Sequence, residues 1–131
     1  MADGNNMVND PALRYRKASE GLTKIEFMDI VVSTGLNITQ FTSLLPVSKR
    51  TIEKVKDNDV LRTDVSDRTL ELGALFQHGV EVLGSLEAFH QWLQSPIVSL
   101  GSQRPFEFLD RSSGISLVND TLGRMAHGVY S

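Results

Sequence analysis

The sequence predicts an all-α protein, with an N-terminal helix-turn-helix bundle followed by a small helical domain. Three observations carry this. Apolar residues recur at helical spacing along almost the whole chain. Strand-like alternation is scarce, and only residues 27–32 combine aromatic and β-branched side chains densely. Caps and breakers stand between the periodic stretches, where helices would begin and end.

Residues 1–18, opening on a polar run, are expected to be a flexible lead. Residues 19–62 should form the helix-turn-helix domain and residues 63–131 the second domain. A helix over 23–34 is closed by Gly35, because its neighbours favour helix over strand. Ile38, Phe41, Leu44 and Leu45 share one face of the next helix, which Pro46 ends. Ser48 is a good N-cap for a helix over 49–57, with Ile52 and Val55 inward and Val47 as a hydrophobic staple. A polar linker is expected over 58–64. Ser66 then caps a long helix whose stripe is Leu72, Leu75, Phe76, Val80 and Leu83, ending near Gly84. Ser85 caps a shorter helix with Leu86, Phe89, Trp92 and Leu93 inward, broken at Ser95 and Pro96. Pro105 suits the first turn of a small helix reaching Asp110. Ile115, Val118, Leu122 and Met125 mark the last helix, with Gly128 as its C-terminal cap.

Composition narrows the function. A hydrophobic fraction of 40% over 131 residues is enough for a packed core. Cysteine is absent, which removes disulfides, thiolate metal sites and catalytic thiols. No apolar run approaches the ~18 residues of a membrane span and no signal peptide opens the chain, so a cytoplasmic protein is expected, with no membrane partner. Charge is uneven. Residues 1–62 carry nine Lys/Arg against eight Asp/Glu, and residues 63–131 carry four against eight. His78, His90 and His127 lie far apart without carboxylates at ligand spacing. No phosphate-binding glycine loop or acid–base pair is evident. The expectation is a protein with no catalytic residues, no metal and no cofactor.

The second helix of the turn motif opens Ser48-Lys49-Arg50-Thr51-Ile52. A recognition helix offers its N-terminal residues to base edges while its inner face packs on the preceding helix. Ser48, Lys49, Arg50, Thr51 and Lys54 are therefore the candidate DNA-binding residues, with arginine suited to guanine and lysine and hydroxyls to phosphate. Lys56 adds charge, and Glu53 and Asp57 dilute it. An ordinary helical hairpin with a solvated basic face is the competing reading.

The C-terminal half contains Leu100-Gly101-Ser102-Gln103-Arg104-Pro105-Phe106-Glu107-Phe108-Leu109-Asp110, then Gly114, Val118, Leu122-Gly123-Arg124 and His127-Gly128-Val129-Tyr130. This pattern resembles the toxin-binding domain of Xre/MbcA/ParS-type antitoxins over roughly residues 67–131. With the preceding turn motif the likeness covers most of the chain. Ser102 stands where that family has a second glycine, and Arg111-Ser112 replaces the common threonine after Asp110.

The resemblance implies an antitoxin that neutralises a RES-domain, NAD-consuming toxin by contact, partly through its extreme C-terminus, and that dimerises and represses its own promoter. Arg124, His127, Gly128, Val129, Tyr130 and Ser131 are the candidate toxin-binding residues. Arg124 and His127 share a helix face, and Val129 and Tyr130 are apolar at a terminus. Arg104 is expected to serve structure. The apolar load of residues 66–93 leads us to expect a homodimer, whose operator DNA would be an inverted repeat. The alternative is a free-standing helix-turn-helix regulator without a toxin.

Overall fold

The computed structural model describes residues 4–128. Its regular elements are helical: α1 (Gly4–Asn9), α2 (Pro11–Glu20), α3 (Lys24–Thr34), α4 (Ile38–Thr42), α5 (Lys49–Glu53), α6 (Thr63–Leu83), α7 (Leu86–Leu93) and α8 (Ser112–Ala126). Two 3₁₀ turns, Val98–Leu100 and Pro105–Phe108, precede α8. Among the described residues, β pairing is limited to the bridges Thr23–Val60 and Ile97–Gln103. The expected all-α class holds. Two compact units divide between Ala74 and Leu75, inside α6, rather than at residue 62.

In the first unit the expected flexible lead is instead largely helical. Asp10 caps α2 by accepting from the amides of Ala12 and Leu13, and Pro11 fits the first turn. Met7 and Val8 are 0% and 6% exposed and pack with Leu22, Ile30 and Leu70. Two adjacent apolar residues make no periodic signal, so their burial could not be read locally. Gly73 makes room for them, since a Cβ there would stand 2.7 Å from Cγ1 of Val8.

Local chemistry sets the next three helices. Thr23 and Glu26 form a reciprocal capping box on α3, and Asn37 and Gln40 form another on α4. Phe27 and Phe41 meet edge to face at 5.7 Å, joining α3 to α4. Helix α4 stops at Thr42, earlier than expected. Leu44 and Leu45 still turn inward from the following turn. Helix α5 likewise ends at Glu53 rather than residue 57.

The expected linker is a strap. The amide of Leu61 donates to the Leu22 carbonyl at 2.7 Å, and that of Lys24 to the Asp59 carbonyl at 3.2 Å. Ser66 is not the cap of α6, which begins at Thr63. It is fully buried, and its Oγ accepts from the Leu22 amide at 2.8 Å. The same hydroxyl that could cap a helix thus satisfies a buried donor of another segment.

The second unit is built on aromatic packing and on close approaches at Gly79, against the Phe89 ring, and at Gly114. Phe76 and Phe89 meet edge to face at 5.0 Å, and Trp92 stacks on Phe89 at 6.0 Å. Ser85 caps α7 through the Ala88 amide. The buried face of α8 holds Gly114, Ile115, Val118, Thr121 and Leu122. Gly114 is required for space, because a Cβ there would collide with the Phe108 carbonyl. Among the described residues, the large exposed apolar side chains are Tyr15, Ile25, Val32, Val60, Val98 and Leu117, while Val80, Val82, Leu83, Leu86 and Trp92 within residues 66–93 are half-buried.

Candidate functional site

Helices α4 and α5 form the expected turn motif. Ile52, 2% exposed, anchors α5 inward, while Ser48, Lys49, Arg50, Thr51 and Lys54 are all exposed. The five do not have equal freedom. Ser48 Oγ accepts from the Thr51 amide at 3.1 Å and lies 3.0 Å from Thr51 Oγ1. Those hydroxyls also hold the helix start, whereas Lys49, Arg50 and Lys54 are presented outward with no such role. The structure adds a cation that local spacing does not reveal. Lys24, on α3, donates from Nζ to the Glu53 carbonyl at 3.4 Å, at the C-terminal end of α5.

Two carboxylates in the first unit are held below their usual range. At Glu26 burial pushes the pKa up. The Lys17 hydrogen bond, the Thr23 backbone and the Lys17 charge outweigh it. At Asp64 the dominant cause is the hydrogen bond from Arg62, whose own pKa is raised by the same contact.

The described part of the C-terminal residue set lies at the end of α8. Arg124 is exposed and donates from Nη2 to Thr121 Oγ1 at 3.3 Å. His127 is exposed at the C-cap, and Gly128 follows with φ of 65° as expected. Val129, Tyr130 and Ser131 lie outside the described residues. Arg104 makes contacts within the fold. Its Nη1 donates to Gln94 Oε1 at 2.7 Å and its Nε lies 3.4 Å from Glu107 Oε2. It ties the chain after α7 to the Pro105–Phe108 turn.

Near the start of α8 lies an open groove of about 540 Å³, bordered by Phe108, Gly114 and Leu117 with Glu107, Asp110, Arg111 and Ser113. Sequence reasoning missed it. The available signal was Leu117, which falls off the Ile115–Val118–Leu122 stripe and is 40% exposed. Among the described residues no three His, Asp or Glu side chains gather to hold a metal. No helix among them is long and apolar enough to cross a membrane.

The fold is thus that of a small two-unit helical protein, with two short helices joined by a turn in the first unit and a grooved helical bundle in the second. Residues 78–128 match the family model of the antitoxin Xre/MbcA/ParS C-terminal toxin-binding domain. A protein named Antitoxin Xre, from Photorhabdus laumondii subsp. laumondii, is 33% identical over 69 residues. The alignment covers 52% of this chain and 47% of that protein, so the chain spans about half the length of the curated relative it matches. The C-terminal unit is thus similar to the toxin-binding domain of Xre/MbcA/ParS antitoxins, in agreement with the resemblance carried by residues 100–130. Helices α4 and α5 lie outside residues 78–128.

Proposed function

We propose that this protein is the antitoxin of a type II toxin–antitoxin pair, a cytoplasmic binding protein rather than an enzyme. It neutralises a RES-domain, NAD-consuming toxin through its C-terminal unit and represses its own operon through α5. The observation that carries this reading is the match of residues 78–128 to a toxin-binding domain, in one chain with an exposed basic α5. Toxin contact is assigned to Arg124, His127 and Gly128, continuing into Val129, Tyr130 and Ser131. Exposure of the first three at the end of α8 supports this. DNA contact is assigned to Lys49, Arg50 and Lys54, with Ser48 and Thr51 holding the helix start.

A homodimer is part of the proposal, with the contact moved away from residues 66–93. Ile25 and Val32, seven residues apart on α3 and 48% and 73% exposed, favour a contact there. Sedimentation at micromolar concentration should give twice the chain mass, and a monomer alone would exclude the dimer.

Co-expression with the product of the adjacent reading frame tests the whole reading. That product alone should arrest growth and deplete NAD, and this chain should restore growth and co-purify with it. A harmless neighbour that forms no complex would sink the antitoxin reading and leave a free-standing regulator.

A further inference from the structure

We propose that Arg68 and Arg62 are positioning residues for α5: they hold the turn between α4 and α5 and thereby set how α5 meets DNA. The inference rests on the DNA-binding reading above and deepens it. Helix α4 ends at Thr42 and α5 begins at Lys49. Between them the amides of Leu44 and Leu45 bond back to Phe41 and Thr42, and Pro46 has no N–H to give. The carbonyls of Leu44 and Pro46 receive no backbone donor among the described hydrogen bonds. Leu44 is buried, and a carbonyl withdrawn from water needs a partner; Pro46 is exposed, so its carbonyl can also meet solvent.

Both partners are arginines from far along the chain. Arg68 Nη1 donates to the Leu44 carbonyl at 3.0 Å, across 24 residues. Arg62 Nη2 donates to the Pro46 carbonyl at 3.3 Å, across 16 residues. A carboxylate of α6 lies against each guanidinium on another edge. Asp64 takes Arg62 at 3.0 and 2.8 Å, and Glu71 lies 3.7 Å from Arg68 Nε. The planar fork of arginine suits this double duty, with one edge for the carboxylate and another N–H for the turn.

The turn matters because α5 cannot hold itself. Five residues are too few for an independent helix, so its direction depends on what enters it. Its cap, Ser48, follows Pro46 by two residues. The Arg68 side chain is only 16% exposed, which separates its role from that of a phosphate contact.

The test uses the full chain and a duplex taken from upstream of its own gene, with affinity read by fluorescence anisotropy over a salt series. Amide exchange across residues 45–51 is measured alongside, without DNA. Arg68→Met should weaken binding about tenfold, leave the salt slope unchanged and speed exchange in the turn while α3 amides stay protected. Arg68→Lys, which can still donate to Leu44, should recover part of both. Arg62→Gln, on an exposed side chain, carries the same test with little threat to the fold. Unchanged affinity and exchange in both neutral variants would overturn the proposal. So would a salt slope flattened by about one in Arg68→Met, which marks a direct phosphate contact. If the unaltered chain does not bind the duplex, the DNA reading fails. Exchange then decides by itself whether the arginines hold the turn.

Discussion

Nδ1 of His78 lies 2.6 Å from Oδ1 of Asn119, joining the later part of α6 to the middle of α8. The amide oxygen only accepts, so the imidazole donates from Nδ1. This polar pair is partly buried and crosses 41 residues of sequence. Asn119→Ala would leave the imidazole donor without this partner. We expect a loss of about 1–2 kcal/mol, read by urea denaturation of the full chain. Stability unchanged within a few tenths of a kcal/mol would mean that water replaces Asn119 at no cost.

Ser102 is the one non-glycine among the described residues with positive φ, at 62°. A side chain there strains the backbone, and glycine relieves the strain at some cost in unfolded-state entropy. Ser102→Gly should therefore raise stability by roughly 0.5–1 kcal/mol. A lower melting temperature in calorimetry would show that the serine hydroxyl contributes more than the strain costs.

Gly114→Ala should do the opposite. Its Cβ meets the backbone carbonyl of Phe108, which cannot swing aside as a side-chain tip can. The Pro105–Phe108 turn and α8 would have to separate. We expect a loss of roughly 2–4 kcal/mol, with the groove deformed as well. Chemical denaturation measures the first, and resonance shifts at Leu117 the second.

Glu26 sets an acid limit on the first unit. Its carboxyl is held below the ordinary value and its Oε2 lies 2.8 Å from Lys17 Nζ, linking α2 to α3. A depressed folded pKa means the contribution is present above the unfolded pKa and fades as pH falls through the folded one. Stability should thus decline below the ordinary glutamate range, and Glu26→Gln should flatten that decline. Equal slopes for both proteins between pH 5 and about 2 would remove Glu26 from the account.

Removal of residues 129–131 tests the assignment of the tail. Tyrosine is a strong interface anchor, buried at low entropic cost. The shortened chain should keep its melting temperature and its DNA affinity while protection against the toxin falls sharply. An equally tight toxin complex would place the inhibitory contact elsewhere, with the groove beside Leu117 the first alternative.

Much of this protein was legible along the chain because its information is local. Thr23 with Glu26, Ser48 with Thr51 and Ser85 with Ala88 are caps within three residues, and helical periodicity exposes most of the buried face of α8. The outward set Lys49, Arg50 and Lys54 followed from the same period, and the motif around Leu100–Asp110 carried the family. Other features depend on partners distant in sequence, and only the tertiary structure decided them. Met7 and Val8 became core because Gly73 admits them, and Ser66 became a buried acceptor for Leu22 rather than a cap. Helix α5 came out short, on a turn held by Arg62 and Arg68. A hydroxyl or guanidinium has the same local signature whether it faces water or a carbonyl many residues away. Burial settles which, because a polar group removed from water must find its partner within the fold.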